Sequence, residues 1–215
     1  YKKNLTLNLQ NLSTLHQEIS FYQDQCRLMV VTKKRSVEDV EDLIDRNFTF
    51  FGENRVQEAQ SKYSSIKSNR SDYNLHLIGP LQSNKTKQAL SIFDGIQSID
   101  RKKIIDEIQK LNHPDLRCKE FFIQINIGRE PQKHGVMPEE IEDLYYYALH
   151  SQMKVKGLMC IPPDIDDPSQ FFEEMNTIKN LLNPSLLLSM GMSNDYKIAL
   201  SYNSNIIRIG SMLFE

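Results

Sequence analysis

The chain has 215 residues, a length that suits one large domain or two small ones. Its 26 basic and 28 acidic side chains leave a net charge of -2, which gives no support to general nucleic-acid binding. Its apolar runs fall short of the roughly 18 residues that a membrane-spanning helix needs, so we expect no membrane partner. The first residues do not form a cationic segment followed by an apolar one, as a signal peptide does.

Three cysteines, Cys26, Cys118 and Cys160, lie in or next to predicted strands. Their odd number and the lack of C-x-x-C spacing argue against a disulfide framework or a zinc site. We therefore expect buried, reduced thiols and a cytoplasmic protein. The 5 histidines are scattered without the spacing of metal ligands, so the sequence predicts no metal site.

Strand and helix patterns alternate along the chain. Leu5 and the apolar residues after it fit one face of a helix within 4–23, and Ser36 with Asp39 predicts a capping box. Apolar runs predict strands at 28–31, 48–51, 73–78, 95–99, 119–127, 155–161, within 186–193 and within 205–211. Helices are predicted from Ser36, after Asn54, from Lys85, and at 101–111, 138–149, 168–182 and 194–201.

Regular alternation of strands and helices indicates a parallel sheet, and eight such units indicate a closed (β/α)8 barrel of the TIM type. An open, doubly wound sheet is the alternative. We expect one domain over residues 1–215, since no linker or shift in composition divides the chain. Within this fold, Gly52 would allow a sharp exit from the second strand, and Asn54 would cap the helix after it.

Lys33 follows the first predicted strand directly. In parallel α/β folds, ligands bind at the C-terminal ends of the strands. We expect the apolar strand, together with Lys34 and Arg35, to favour the neutral amine of Lys33, which can form a Schiff base with a carbonyl. The alternative is a solvated basic turn that opens the next helix.

The ends of the last two strands carry a serine, a glycine and another serine: Ser193, Gly210 and Ser211. Loops after strands 7 and 8 of a barrel, with the start of a short helix, form a recurrent phosphate site. Each of these ends alone would be an ordinary turn. Together with Lys33 they indicate pyridoxal 5′-phosphate (PLP), whose aldehyde suits a lysine and whose phosphate suits this loop pair.

Several separated motifs resemble those of the small pyridoxal phosphate homeostasis proteins, which are similar to the barrel domain of alanine racemases. The motifs are Val31–Lys33, Phe51–Glu58, His76–Lys85, Gly157–Met159, Met190–Asp195 and Arg208–Ser211. They occur in the order of the family and cover most of the chain. The resemblance implies an alanine racemase N-terminal-domain-like barrel without an appended β domain.

The resemblance also implies which residues bind the cofactor. Lys33, rather than Lys34, would hold PLP as a lysine aldimine. Arg208 would face the pyridine nitrogen, and Asn54 would lie near the cofactor. The residues that would hold the phosphate are Ser193, Gly210 and Ser211. The basic run 33–35 and the end of the chain, 213–215, depart from the family pattern without removing a ligand.

The predicted function is to hold PLP rather than to use it in catalysis. An arginine only donates hydrogen bonds, so it would keep the pyridine nitrogen unprotonated and the ring a weak electron sink. Racemisation also needs a second acid or base, which in the racemases is a tyrosine on the extra β domain. We therefore assign no catalytic residue and predict a role in PLP (vitamin B6) and amino-acid homeostasis.

Expected partners are PLP, amino acids and PLP-dependent acceptor enzymes, and we expect a monomer. The first alternative is a racemase-like PLP enzyme, and the second is a barrel enzyme whose Lys33 forms a Schiff base with a phosphorylated metabolite. A nucleic-acid-binding or scaffold protein is a third alternative, suggested by the short basic clusters 85–87 and 101–103.

Overall fold

Eight parallel strands pair in chain order, and the first pairs with the eighth to close a barrel. The structure is a computed structural model that describes residues 7–22, 25–66, 72–111 and 115–214. The predicted helical position Leu5 lies outside these ranges. The strands are β1 (Arg27–Val31), β2 (Phe50–Glu53), β3 (Asn74–Leu77), β4 (Gly95–Ile99), β5 (Glu120–Ile125), β6 (Val155–Cys160), β7 (Leu187–Ser189) and β8 (Ile206–Ile209).

Helices connect consecutive strands on the outside of the barrel, and α1 precedes β1. The described helices are α1 (Leu9–Ser20), α2 (Val37–Asp45), α3 (Val56–Tyr63), α4 (Thr86–Ile92), α5 (Lys102–Lys110), α6 (Ile141–His150), α7 (Ser169–Leu182) and α8 (Tyr196–Ser201). Short 3-10 turns occupy Ser83–Lys85, Pro138–Glu140 and Ser211–Leu213. The predicted (β/α)8 barrel is confirmed, and the open-sheet alternative is wrong because β1 and β8 pair along four residues of each strand.

Side chains that alternate along the strands build two apolar cores. The larger core lies between the strands and the helices. A smaller core fills the barrel itself and consists of Met29, Phe50, Phe122, Met159 and Ile206. This packed interior leaves the C-terminal ends of the strands as the place where a ligand can enter.

The second strand differs from its prediction. Residues 48–51 were the predicted strand, but β2 runs from Phe50 to Glu53, so Gly52 lies within it rather than at a sharp exit. A Cβ at Gly52 would approach Met29 Sδ to 2.6 Å, which explains the glycine by packing inside the barrel. The apolar run 48–51 did not indicate this shift, because the strand continues into a buried glutamate, Glu53, which is not apolar.

The two predicted helix caps have different outcomes. Ser36 and Asp39 form the predicted capping box, in which each side chain accepts a hydrogen bond from the backbone N–H of the other residue. The prediction that Asn54 caps α3 is wrong, because Arg55 occupies the N-cap position and no side chain caps that helix. Asn54 is therefore available to the mouth of the barrel.

All three cysteines are free and buried, as predicted. Burial raises the pKa of the Cys26 thiol to about 11 and that of Cys160 to about 12, and it also raises the pKa of Cys118. These thiols therefore stay protonated and behave as small apolar side chains. Among the described residues, no helix combines the length and the apolar character needed to cross a membrane.

Candidate functional site

A cavity of about 460 Å³ opens at the C-terminal ends of the strands. Residues after β1, β2, β3, β5, β6, β7 and β8 contribute to its wall, because parallel strands all end at this mouth. The six residues singled out in the sequence all line it: Lys33, Asn54, Ser193, Arg208, Gly210 and Ser211.

Lys33 lies in a turn that follows β1. The Arg35 amide donates to the Thr32 carbonyl oxygen at 3.0 Å, which closes the turn, and Lys34 has a φ of 62°. Lys33 lines the cavity, whereas Lys34 is not among the lining residues. The expectation that the strand would remove water from the Lys33 side chain is wrong, because this side chain is exposed at the open mouth.

Two hydroxyl groups meet on the side of the cavity formed by the ends of β7 and β8. The Ser211 hydroxyl donates to Ser193 Oγ at 3.3 Å, a long hydrogen bond between two neighbouring loops. Gly210, between β8 and the turn that begins at Ser211, exposes backbone to the cavity. Gly191 has a φ of 97°, a left-handed conformation that lets the chain turn sharply after β7.

Arg208 lies on β8 and is buried, and polar groups on nearby strands hold its guanidinium in place. Its Nη1 donates to Ser189 Oγ at 2.8 Å, and its Nη2 donates to the Cys160 carbonyl oxygen at 2.7 Å. Ser189 in turn donates to Gln97 Oε1 at 2.6 Å, and Gln97 Nε2 lies 3.0 Å from His76 Nδ1. Burial lowers the pKa of Arg208, but a guanidinium remains charged in proteins. The cavity therefore has a fixed cation in its floor.

Asn54 lies where the loops after β2 and β3 come together. The backbone of Asn54 approaches Gly79 so closely that no Cβ would fit at Gly79. This contact explains why a glycine follows β3, and it fixes the backbone of Asn54 at the edge of the cavity.

Three charged residues that also line the cavity were not among the predicted ligands: Lys133, Asp164 and Asp195. Lys133 Nζ pairs with Glu130 Oε2 at 2.6 Å and donates to the Pro162 carbonyl oxygen at 3.0 Å. The polar stretch 128–135 could have indicated Lys133, because it follows the predicted strand 119–127 directly.

Asp195 supports the loop that carries Ser193. Its Oδ1 accepts a hydrogen bond from the Met192 amide at 2.6 Å. Burial raises the pKa of this carboxyl, whereas the Met192 hydrogen bond and the charge of Arg208 oppose the shift. Within the described ranges, no group of three His, Cys, Asp or Glu side chains is arranged to hold a metal ion.

Known proteins of similar sequence and structure identify the family. No protein-family model matches the chain. A pyridoxal phosphate homeostasis protein of Aquifex aeolicus (strain VF5) is 36% identical over 197 residues, which cover 87% of this chain and 86% of the relative. PipY of Synechococcus elongatus PCC7942, solved with PLP bound, is 26% identical with a TM-score of 0.80, and the match covers 96% of this chain and 99% of PipY.

A more distant structure shares the fold alone. Alanine racemase from Corynebacterium glutamicum has a TM-score of 0.67 at 13% identity, and the match covers 94% of this chain and 60% of the racemase. This confirms the predicted alanine racemase-like barrel. Because the Aquifex relative is similar over most of both sequences, the chain belongs to the pyridoxal phosphate homeostasis protein family.

Proposed function

We propose that this protein binds PLP in the cavity at the barrel mouth and acts in intracellular PLP and amino-acid homeostasis. The observation that carries the proposal is that the six residues predicted to bind the cofactor all line one cavity. The family and the PLP-bound structure of PipY support it. We treat residues 1–215 as one domain that works as a monomer, exchanges PLP with acceptor enzymes and meets amino acids through the bound cofactor.

The residues of the cavity fit PLP in size and in chemistry. Its volume of about 460 Å³ lies within the range of pockets for small cofactors. An amine, Lys33, stands at the end of β1, and two hydroxyls and a glycine backbone stand at the ends of β7 and β8. Because β8 pairs with β1, the two groups share one side of the barrel mouth and can contact the aldehyde and the phosphate arm, which PLP carries on neighbouring ring carbons.

Each of these residues has a role in the proposal. Ser193, Gly210 and Ser211 bind the phosphate, Arg208 donates to the pyridine nitrogen, and Asn54 lies at the edge of the ring. The Lys33 amine condenses with the aldehyde of PLP to form a Schiff base and releases one water. Water reverses this step, so the amount held by the protein follows the supply of cofactor.

The proposed role is to hold the cofactor, which supplies an electron sink for amino-acid chemistry when it is bound to an enzyme. Arg208 can only donate to the pyridine nitrogen and so leaves it unprotonated, which weakens that sink. The second lysine of the cavity, Lys133, is engaged by Glu130 and by the Pro162 carbonyl. Neither feature favours rapid proton transfer at a bound amino acid.

The experiment that tests the proposal is a titration of the purified protein with PLP. We expect a yellow adduct, which borohydride converts into a colourless secondary amine that withstands dialysis, with a modified peptide that contains Lys33. Addition of L-alanine to the loaded protein should give no steady racemisation. Lack of an adduct, or modification at Lys34, would contradict cofactor binding as proposed, and steady turnover would favour the racemase-like alternative.

The phosphate assignment predicts a selective loss of affinity in Ser193→Ala. Removing one hydroxyl that donates to a charged group should weaken PLP binding by roughly ten- to hundredfold. A fluorescence titration with PLP measures this loss. In the same titration with pyridoxal, which lacks the phosphate, the wild type and the variant should bind equally. Ser201→Ala is the matched control, since Ser201 lies on the next helix and donates to the Ile198 carbonyl. An equal loss for pyridoxal and PLP would show that Ser193 does not contact the phosphate.

A further inference from the structure

A buried cluster of polar side chains lies behind the Lys33 turn, outside the barrel and under α3. Thr32, Glu53 and Lys62 are 0%, 0% and 6% exposed. A lysine this deeply buried is unusual and needs partners for its charge. Its Nζ lies 2.6 Å from Glu53 Oε1 and 3.4 Å from Glu58 Oε1.

The cluster holds the residue before Lys33 through two of its polar groups. Lys62 Nζ donates to the Thr32 carbonyl oxygen at 2.6 Å. The Thr32 hydroxyl donates to Glu53 Oε1 at 2.7 Å and lies 2.8 Å from the Tyr63 hydroxyl. Since these contacts are buried, water cannot replace them, and the orientation of the Thr32–Lys33 peptide is set from the α3 side.

The same cluster holds the residue after Lys33. Glu58 Oε1 accepts a hydrogen bond from the Lys34 amide at 2.6 Å. Lys34 has the left-handed φ of 62°, a conformation that a non-glycine residue adopts when its surroundings stabilise it. Lys33 itself lines the cavity, so α3 anchors the chain on both sides of the proposed Schiff-base lysine.

We propose that Lys62, acting with Glu53 and Glu58, is a positioning residue that sets the direction in which Lys33 presents its amine to the cofactor. This inference rests on the proposed function of Lys33. Lys62 does not line the cavity, so its effect reaches the reacting amine through the Thr32 carbonyl. Condensation of an amine with a carbonyl depends on the angle and distance of approach, and a displacement of about 1 Å can slow such a step by roughly 100-fold.

If Lys62 positions Lys33, removing the cluster should slow formation of the Schiff base without weakening the non-covalent binding of the cofactor. The double variant Lys62→Met with Glu53→Gln removes both charges and leaves no unpaired buried charge. Stopped-flow absorbance after mixing with PLP should show Schiff-base formation that is ten- to hundredfold slower than in the wild type. Pyridoxine 5′-phosphate, an alcohol that cannot condense with an amine, should bind the variant with wild-type affinity.

The matched control is Lys102→Met, which removes a lysine from an exposed ion pair with Asp143 on the outer helices. It should form the Schiff base at the wild-type rate. If the double variant binds PLP and pyridoxine 5′-phosphate more weakly by the same factor, the cluster only shapes the cavity. If Schiff-base formation in the double variant keeps the wild-type rate, the cluster does not position Lys33. Either result overturns the inference.

A second variant keeps the test decisive if the double variant does not fold. Glu58→Ala releases the Lys34 amide and leaves the buried pair of Glu53 and Lys62 in place. We expect slower Schiff-base formation with unchanged binding of pyridoxine 5′-phosphate, and a wild-type rate would overturn the inference. If the wild-type protein itself forms no adduct with PLP, the proposed function fails, and this outcome is distinguishable from both results above.

Discussion

Lys33→Ala should abolish the borohydride-stable attachment of PLP, whereas Lys34→Asn should leave it intact. Lys33 is the member of the pair that lines the cavity. Alanine has no amine to condense with the aldehyde, so the expected loss is complete rather than partial. Mass spectrometry of the reduced, intact proteins measures the attached fraction directly. An adduct of unchanged yield in Lys33→Ala would remove Lys33 from the site.

Asparagine is chosen at position 34 because Lys34 has a φ of 62°, and asparagine tolerates this conformation better than alanine does. Lys33 is exposed, so its replacement should change the free energy of unfolding by less than about 0.5 kcal/mol. Urea unfolding of both variants without PLP checks this point. A large loss of stability in Lys33→Ala would mean that the adduct is missing because the variant is unfolded and not because the amine is gone.

The second large effect is a loss of stability in acid caused by His76. Burial lowers the pKa of this imidazole from 6.5 to about 3, and the charge of Arg27 adds to the shift. The native state therefore excludes a proton that the unfolded chain accepts below about pH 6.5. Stability from this group is complete above pH 6.5 and decreases towards pH 3, by about 2.5 kcal/mol between pH 7.5 and pH 4.5.

Glu120 acts in the opposite direction, since its Oε2 lies 3.5 Å from His76 Nε2. Its side chain is 29% exposed and exchanges this contact for water, so we expect the burial of the imidazole to dominate. A protonated ring would also lose the acceptor that faces Gln97 Nε2 at 3.0 Å. Both considerations keep His76 neutral in the native protein.

Urea unfolding at pH 7.5 and pH 4.5 measures the effect in the wild type, in His76→Gln and in His134→Gln. His134 is exposed, so its variant serves as the control for removing a histidine. Carboxyl groups titrate in all three proteins and cancel in the comparison. We expect His76→Gln to be less stable at pH 7.5 and to lose about 2.5 kcal/mol less than the wild type on acidification. Equal losses in all three would refute the assignment.

The sequence alone determined the barrel and most of the cavity. Eight apolar runs separated by helical stretches identify strands whatever their partners, because each strand is buried on both faces. Since parallel strands end at one mouth, the position of a residue after its strand was enough to bring Lys33, Ser193 and Gly210 together. The motifs of the family then supplied the choice of Lys33 over Lys34.

Other features were decided by the tertiary structure, because they depend on contacts between distant segments. The glycine of β2 is explained by Met29, and the strand boundary by the buried Glu53. Exposure of Lys33 depends on how wide the assembled mouth is, which no local pattern encodes.

The buried lysine behind the Lys33 turn, Lys62, is another feature that only the tertiary structure decided. In the sequence, Lys62 is one charged residue of a polar helix, and periodicity places no functional meaning on it. In the structure it contacts the Thr32 carbonyl from 30 positions away and shares Glu53 with the Thr32 hydroxyl. Apolar periodicity predicts where a chain is buried, but the partner of a buried charge is set only when the barrel closes and brings α3 against β1 and β2.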